Sequence, residues 1–480
     1  MARPIAYQLT KPGQINLPGI TAASKKITEE LLKADVDDHH CYFRSAGLHN
    51  HTAHHILAAY DFGATPALLQ KIYDHDGKLQ RSIVLEPKDK EIVVDETNWK
   101  KHVGKTHNEY NALYKFFTKQ VTELGIPATL EKYVFNEDAN QDGTNMLTRV
   151  CSGAVHPLIQ IGYGAEFGHE ALVATGLAQA ATNTPIQGSV ATFDKVTPEQ
   201  SISLLELLRR VNELEVLKPP AYNPDSGINQ RFKDAYANGG TEELQKLCSL
   251  YHISDTISDE ELNKKAEEIY WVVTLLLSAT GRKGRKPRMD FFFMHLVTSS
   301  LFIRPIVSYI QKQEHKAAFL RTYVFFIMAY NLARGRPKID ISLAMSYPAV
   351  VRAPKGSGDN IQPSDVSLGS PFADEDFNAW PELVQGALYH PESHVLKSLR
   401  SLAYFSANLG TTPPGGVPGA WKDAASQIET FPGVGQLDGT LFIRTAGVIL
   451  NTLGWCGHGQ KEGKWDYSAL GWDEAWNNQD

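Results

Sequence analysis

Cysteine is scarce in this 480-residue chain. The four present, Cys41, Cys151, Cys248 and Cys456, lie far apart and form no CxxC pair, which excludes a zinc ribbon or a disulfide framework and fits the reduced thiols of an intracellular protein. An excess of positive charge is also missing. With 47 basic against 54 acidic residues the net charge is -7, so nucleic acid meets no overall attraction and is not expected as a partner. Long apolar runs are interrupted: Asp290, His295 and Arg304 break residues 289–310, and Arg321 lies within 317–333, which makes both buried helices rather than membrane spans. The opening stretch, MARPIAYQLTKPGQINLPG, lacks the charged and apolar regions of a secretory signal, so a cytoplasmic location is expected. Alternating strand-like runs are rare, and IVLEPKDKEIVV at 83–94 is the one convincing candidate.

What the chain has in quantity is 3.6-residue periodicity. Segments 22–34, 52–60, 66–73, 108–124, 156–180, 197–215, 241–251, 259–279, 289–312, 315–334, 382–389, 391–408 and 440–453 all read as helices, and the expected fold is mainly α. Pro, Gly or charge breaks the pattern at 216–227, 281–288, 352–371 and 410–419, loops that are each a candidate lid. Histidine segments lie on both sides of three of these loops, so they read as loops within a single domain, residues 1–480 with a core from about 25 to 455.

Histidine, with 17 copies, stands where an apolar helical face would otherwise run in four separated stretches. The first, HNHTAHHILAAY, carries His49, His51, His54 and His55. His51, His54 and His55 are spaced i, i+3 and i+4, so two of them can reach one metal, and the spacing does not say which two. His156 opens HPLIQIGYGAEF, where Tyr163 returns to nearly the same face and Gly162 and Gly164 leave room, which suggests a ligand beside an aromatic wall. His295 sits among Phe291, Phe292, Phe293 and Met294. In HPESHVLKSLR, His394 and Lys397 share a helical face. An ammonium has no lone pair, so Lys397 joins a metal site only when deprotonated or converted by carbon dioxide to a carbamate. Any one of these histidines alone could be a core residue bonded to a carbonyl; together they read as a buried metal site, and imidazole suits iron, zinc, copper and nickel.

Other motifs fail. DANQDG at 138–143 begins like a calcium loop but has Arg149 where the closing Glu belongs, HEALV lacks the second histidine of a zincin, and GYGAEFG has the wrong glycine spacing for a dinucleotide fingerprint. The basic run from Arg282 to Arg288 reads as a solvated loop.

The segments HNHTAHHILAAYDFGA, HPLIQIGYGAEF, HLVTSS and HPESHVLKSLRSLAYF, in this order and at these separations, resemble the questin oxidase-like family of fungal polyketide tailoring enzymes, over residues 25–455 or so. That resemblance implies an oxygenase opening the central ring of an anthraquinone such as questin, with dioxygen as co-substrate. Some family members are described as NADPH-dependent Baeyer–Villiger-type enzymes, others as non-haem iron dioxygenases with four histidines and a carbamylated lysine. On this sequence the resemblance makes His156, His295 and His394 ligands to Fe(II) together with one or more of His51 and His54, holds His55 in reserve, and makes Lys397 the carbamylated ligand. Four imidazoles and a carbamate oxygen would leave one of six positions on a ferrous ion for dioxygen. Tyr163 is the expected pocket residue that orients or protonates a phenolic oxygen. The rival expectations are a metal-free or NADPH-dependent monooxygenase whose histidines act as bases, and a non-catalytic helical binding protein.

Overall fold

In the computed structural model, which describes residues 4–42, 49–83, 92–105, 109–186, 201–354, 363–423 and 425–477, local signals open and close many of the helices. Thr21 accepts from the Ser24 amide while its own amide donates to Ser24 Oγ, a capping box that starts helix Ala22–Asp38. Ser258 caps helix Asp259–Ser278, whose first turn sets Asp259, Glu260 and Glu261 against the positive end of the helix dipole. Asp290 caps helix Phe291–Ser300 by accepting from the Phe292 and Phe293 amides.

The fold is a mainly α single domain, and the one sheet among the described residues is the antiparallel pair Trp421–Asp423 and Ile428–Glu429. From Ile269 to Ser278 and from Thr322 to Ala333 every residue is buried, so the helices carrying them, Asp259–Ser278 and Gln313–Ala333, run through the core rather than along its surface. No helix among the described residues is long and apolar enough to cross a membrane.

Where periodicity suggested one helix over 156–180, there are two, His156–Phe167 and Glu170–Thr182. Gly168 takes a left-handed φ of 62° and ends the first, and His169 caps the second by accepting from the Leu172 amide. Their glycines serve helix contact rather than ligand space. A methyl group at Gly164 would lie 2.6 Å from Val173 Cγ2, one at Gly176 2.6 Å from Ile161 Cγ1, and the room expected at Gly162 is filled by Phe302. The expected helix 289–312 likewise divides into Phe291–Ser300 and Ile303–Val307. Of the strand candidate at 83–94, residues 84–91 lie outside the described residues, as do 355–362 of the third loop. The basic run is a loop, exposed over residues 283–286 as expected and tied down at its end, where Arg288 donates to Asp466 at 2.6 Å and to the Ala475 carbonyl at 2.8 Å.

Three of the histidine-bearing helices are joined by one buried ion cluster. Arg400, in helix Ser393–Leu409, donates through Nε to Asp61 Oδ2 at 2.8 Å and through Nη2 to Glu166 Oε1. Asp61 ends helix Thr52–Asp61 and Glu166 lies in helix His156–Phe167. The N-terminal segment completes the cluster: the amides of Ile15 and Asn16 donate to Asp61 at 3.2 and 2.8 Å, and that of Gln14 to Glu166 at 2.6 Å. Burial pushes the Glu166 carboxyl up to about 7 despite the guanidinium beside it, because two carboxylates share one cation away from water. The fourth helix has its own buried pair, Arg334 Nε on Asp290 Oδ2 at 2.7 Å.

Replacing Arg400 with methionine leaves two carboxylates buried without a cation. Equilibrium denaturation of Arg400→Met is expected to show a loss of about 3–5 kcal/mol, and a loss below about 1 kcal/mol would mean the cluster does not hold these helices.

Candidate metal centre

A short strained turn sets the first histidine. Gly153, Ala154 and Val155 have φ of 60°, 52° and 56°, three consecutive left-handed residues, and the β-branched Val155 is an outlier in that region. The turn brings the Gly153 carbonyl onto the ring that follows, where His156 Nδ1 donates to it at 2.7 Å. The same arrangement recurs on other helices. His295 Nδ1 donates to the Phe291 carbonyl at 2.7 Å, His394 Nδ1 to Glu392 Oε1 at 2.6 Å, and His55 Nδ1 to Asp76 Oδ2 at 3.0 Å. Each partner can only accept, so the proton of the neutral ring sits on Nδ1 and the lone pair on Nε2.

Those lone pairs lack ordinary partners. Nε2 of His55, His295 and His394 is buried without a hydrogen bond, and Nε2 of His156 faces Nε2 of His51 across 2.8 Å. Nitrogen atoms of His51, His156 and His394 come within 4.8 Å of one another, and the His295 ring centre is 4.8 Å from those of both His156 and His394. His54 has the opposite orientation. Its Nε2 donates to Gln160 Oε1 at 2.7 Å, the Gln160 amide being fixed by its bond to Thr175 at 2.9 Å, and Nδ1 is the nitrogen left unpartnered.

Lys397 reaches the same interior. Its Nζ is buried with no hydrogen-bond partner, and burial brings the ammonium down to about 7, against the pull of Glu392 and Asp76. Burial, followed by the charge of Lys397 or of neighbouring imidazoles, pushes His51, His54, His156 and His295 well below their ordinary range; at His394 burial outweighs the opposing pull of Glu392. Burial acts to raise Glu392, yet His394 and the indole of Trp465 hold it at about 2. The result is a set of neutral imidazoles beside a buried lysine. Orphaned buried donors of this number carry a large desolvation cost, which one cation within reach of their lone pairs would relieve. The donor set fits a nitrogen-ligated transition metal.

A cavity of about 1280 Å³ opens onto His51, His156 and His394, with Phe232, Phe292 and Tyr330 among its aromatic walls. None of the described residues in 216–227, 281–288, 352–371 or 410–419 lines it; the C-terminal residues Trp465 and Tyr467 do.

The structure brings His51, His156, His295, His394 and Lys397 to one interior region and places Tyr163 and His54 differently from their expected positions. Tyr163 does not line the cavity. It stacks on His54 with ring centres 5.1 Å apart, with Phe302 at 4.6 Å and the Arg400 guanidinium at 5.4 Å, so it braces His54 from behind. His55, held in reserve, has the anchored Nδ1 and unpartnered Nε2 that His54 lacks. Its signal, Asp76 on the neighbouring helix Pro66–Gly77, cannot be found by local spacing.

The profile of the family described as Questin oxidase-like matches residues 48–402. A Baeyer–Villiger oxidase of Pestalotiopsis microspora, GME11358, is 30% identical over 59% of this chain and 64% of its own length. The questin oxidase of Aspergillus fumigatus is 28% identical over 56% and 61%. The Baeyer–Villiger monooxygenase AacuH of Aspergillus aculeatus is 26% identical over 100% of this chain and 95% of its own. The chain thus matches less than two thirds of the length of the first two relatives and nearly all of the third.

A buried amine that exists for a ligand should cost stability when the ligand is removed. In chelator-treated protein, Lys397→Met is expected to raise the unfolding free energy by about 1–3 kcal/mol, measured by urea denaturation, because an apolar side chain of similar length has nothing to desolvate. A destabilised variant would show that Lys397 has a structural partner of its own.

Proposed function

The chain belongs to the questin oxidase-like family, and from that membership we propose that it is an oxidoreductase that cleaves a carbon–carbon bond in the central ring of an anthraquinone such as questin, in polyketide biosynthesis. Its co-substrate is dioxygen and its cofactor Fe(II). The observation that carries this reading is the set of lone pairs from separate helices, each ring anchored through its other nitrogen, meeting beside a buried amine at the floor of a large aromatic cavity.

His51, His156, His295 and His394 would hold the iron, with His55 available from the same helix as His51, and Lys397 would join them as its carbamate. Burial favours the free amine of Lys397, the form that reacts with carbon dioxide. Ferrous iron, when bound, supplies the activation of dioxygen, which reacts sluggishly with closed-shell organic molecules on its own. The protein's residues do the rest. Gly153, Phe291 and Glu392 fix the tautomers of their histidines, so no proton competes for the inward lone pairs. Phe232, Phe292 and Tyr330 offer flat apolar faces for a polycyclic ring and keep water from the reacting carbons.

The names of the relatives favour a second form of the reaction. If the quinone arrives in its reduced form, its own two electrons allow both oxygen atoms to enter the product. With the oxidised quinone, NADPH must supply two electrons and one oxygen atom leaves as water.

Protein purified without a polyhistidine tag is expected to hold about one iron per chain by mass spectrometry. His394→Ala and Lys397→Ala should each lose most of it, together with anthraquinone-dependent oxygen consumption. His55→Ala should lower iron content more than His54→Ala. Full turnover by metal-free protein would sink the reading.

A further inference from the structure

The histidine cluster has a support that the family match does not cover. The match ends at residue 402, yet three consecutive residues well beyond it, Trp465, Asp466 and Tyr467, touch the groups that hold two of the histidines. The Trp465 indole N–H donates to Glu392 Oε2, while Glu392 Oε1 accepts from His394 Nδ1 at 2.6 Å and from the His394 amide at 3.2 Å. Both oxygens of this carboxylate are engaged, one on each side. Next in the chain, the Asp466 carbonyl accepts from the Phe291 amide at 2.9 Å and the Asp466 amide donates to the Met289 carbonyl at 2.8 Å, a bridge that fixes the residue whose own carbonyl anchors His295. Tyr467 then stacks on the Phe291 ring at 4.4 Å, and that ring lies 4.5 Å from His295 and 5.2 Å from His394. Arg288 secures the segment from the other side by its ion pair with Asp466 at 2.5 Å.

We propose that Trp465 is a positioning residue of the metal centre, and that it acts through Glu392. An anionic carboxylate can turn about its terminal bond, and any turn short of the half rotation that exchanges its equivalent oxygens would move the acceptor away from His394 Nδ1. The indole N–H on the far oxygen removes that freedom. His394 is thereby held with Nε2 toward His51 and His156, and the carboxylate raises the basicity of the ring it touches. Asp466 and Tyr467 do the corresponding task for His295 through the Phe291 backbone and ring. The C-terminal segment is therefore part of the centre and not only a wall of the cavity.

The inference rests on reading the cluster as a metal centre, and the test separates the two. Co(II) is the probe, since its visible absorption reports the ligand field and its titration gives an affinity without turnover. In the full chain, Trp465→Phe keeps a ring in place and removes the donor; its Co(II) affinity is expected to fall about tenfold or more, with an altered absorption band. Glu392→Gln, whose carboxamide cannot accept at both ends, should show a similar loss. The double variant should bind no more weakly than Glu392→Gln alone. Unchanged Co(II) binding by Trp465→Phe would overturn the proposal, as would a loss that adds in full to that of Glu392→Gln. Where Trp465→Phe does not fold, unchanged binding by Glu392→Gln overturns it equally. Wild-type protein that binds no Co(II) or Fe(II) overturns the metal reading itself and this inference with it.

Discussion

A guanidinium between two carboxylates, sealed from water, is the constraint on which the arrangement of the centre depends. Arg400 cannot be satisfied unless the C-terminal ends of helices Thr52–Asp61 and His156–Phe167 and its own helix Ser393–Leu409 come to one point. Those helices bear His51, His156 and His394. Apolar packing alone tolerates small rotations of a helix about its axis, and a rotation of a few tens of degrees would turn a histidine out of the cluster. The ion cluster has directional bonds and so admits much less. Asp290 has a related part on the fourth helix, where it caps the first turn and pairs with Arg334 in one side chain.

Outside this frame four of the imidazoles are anchored one by one: by a carbonyl in a strained left-handed turn for His156, a carbonyl one helical turn back for His295, a carboxylate two residues away for His394 and one on the neighbouring helix for His55. The common outcome is a proton fixed on Nδ1. A carboxylate carries a charge that a backbone carbonyl lacks, so Glu392 opposes the effect of burial at His394, while His156 and His295 are pushed well below their ordinary range.

Much of this could be read from the sequence because helical periodicity and histidine are both conspicuous. Helices Asp259–Ser278 and Gln313–Ala333 are long and strongly apolar, and both were expected. A break such as Gly168 was not, because a glycine inside an apolar run looks the same whether it continues a helix or ends one in a left-handed turn. His51, His156, His295, His394 and Lys397 stood out because a polar side chain on an apolar face is a cost in search of a reason. Their partners did not. Asp76, Glu392 and Trp465 look like ordinary surface residues in one dimension, and only the packing of distant segments reveals what they hold. Tyr163 was misplaced for a related reason: spacing along a helix gives its face but not whether that face meets a cavity or the next layer of side chains.

The order in which the ion cluster's members leave the ribosome has a consequence for biogenesis. Its first amides lie at Gln14 to Asn16 and its carboxylates at Asp61 and Glu166, while the only cation among them arrives at position 400. A growing chain that has reached the end of helix His156–Phe167 holds two acidic groups destined for a dry interior and lacks the guanidinium that neutralises them in the native fold, so closing the native core around them at that stage is disfavoured. The cluster can form only once the last sixth of the chain has begun to appear. Assembly of the centre is thus coupled to completion of the chain, and a product truncated before Arg400 would be left for chaperones or proteases.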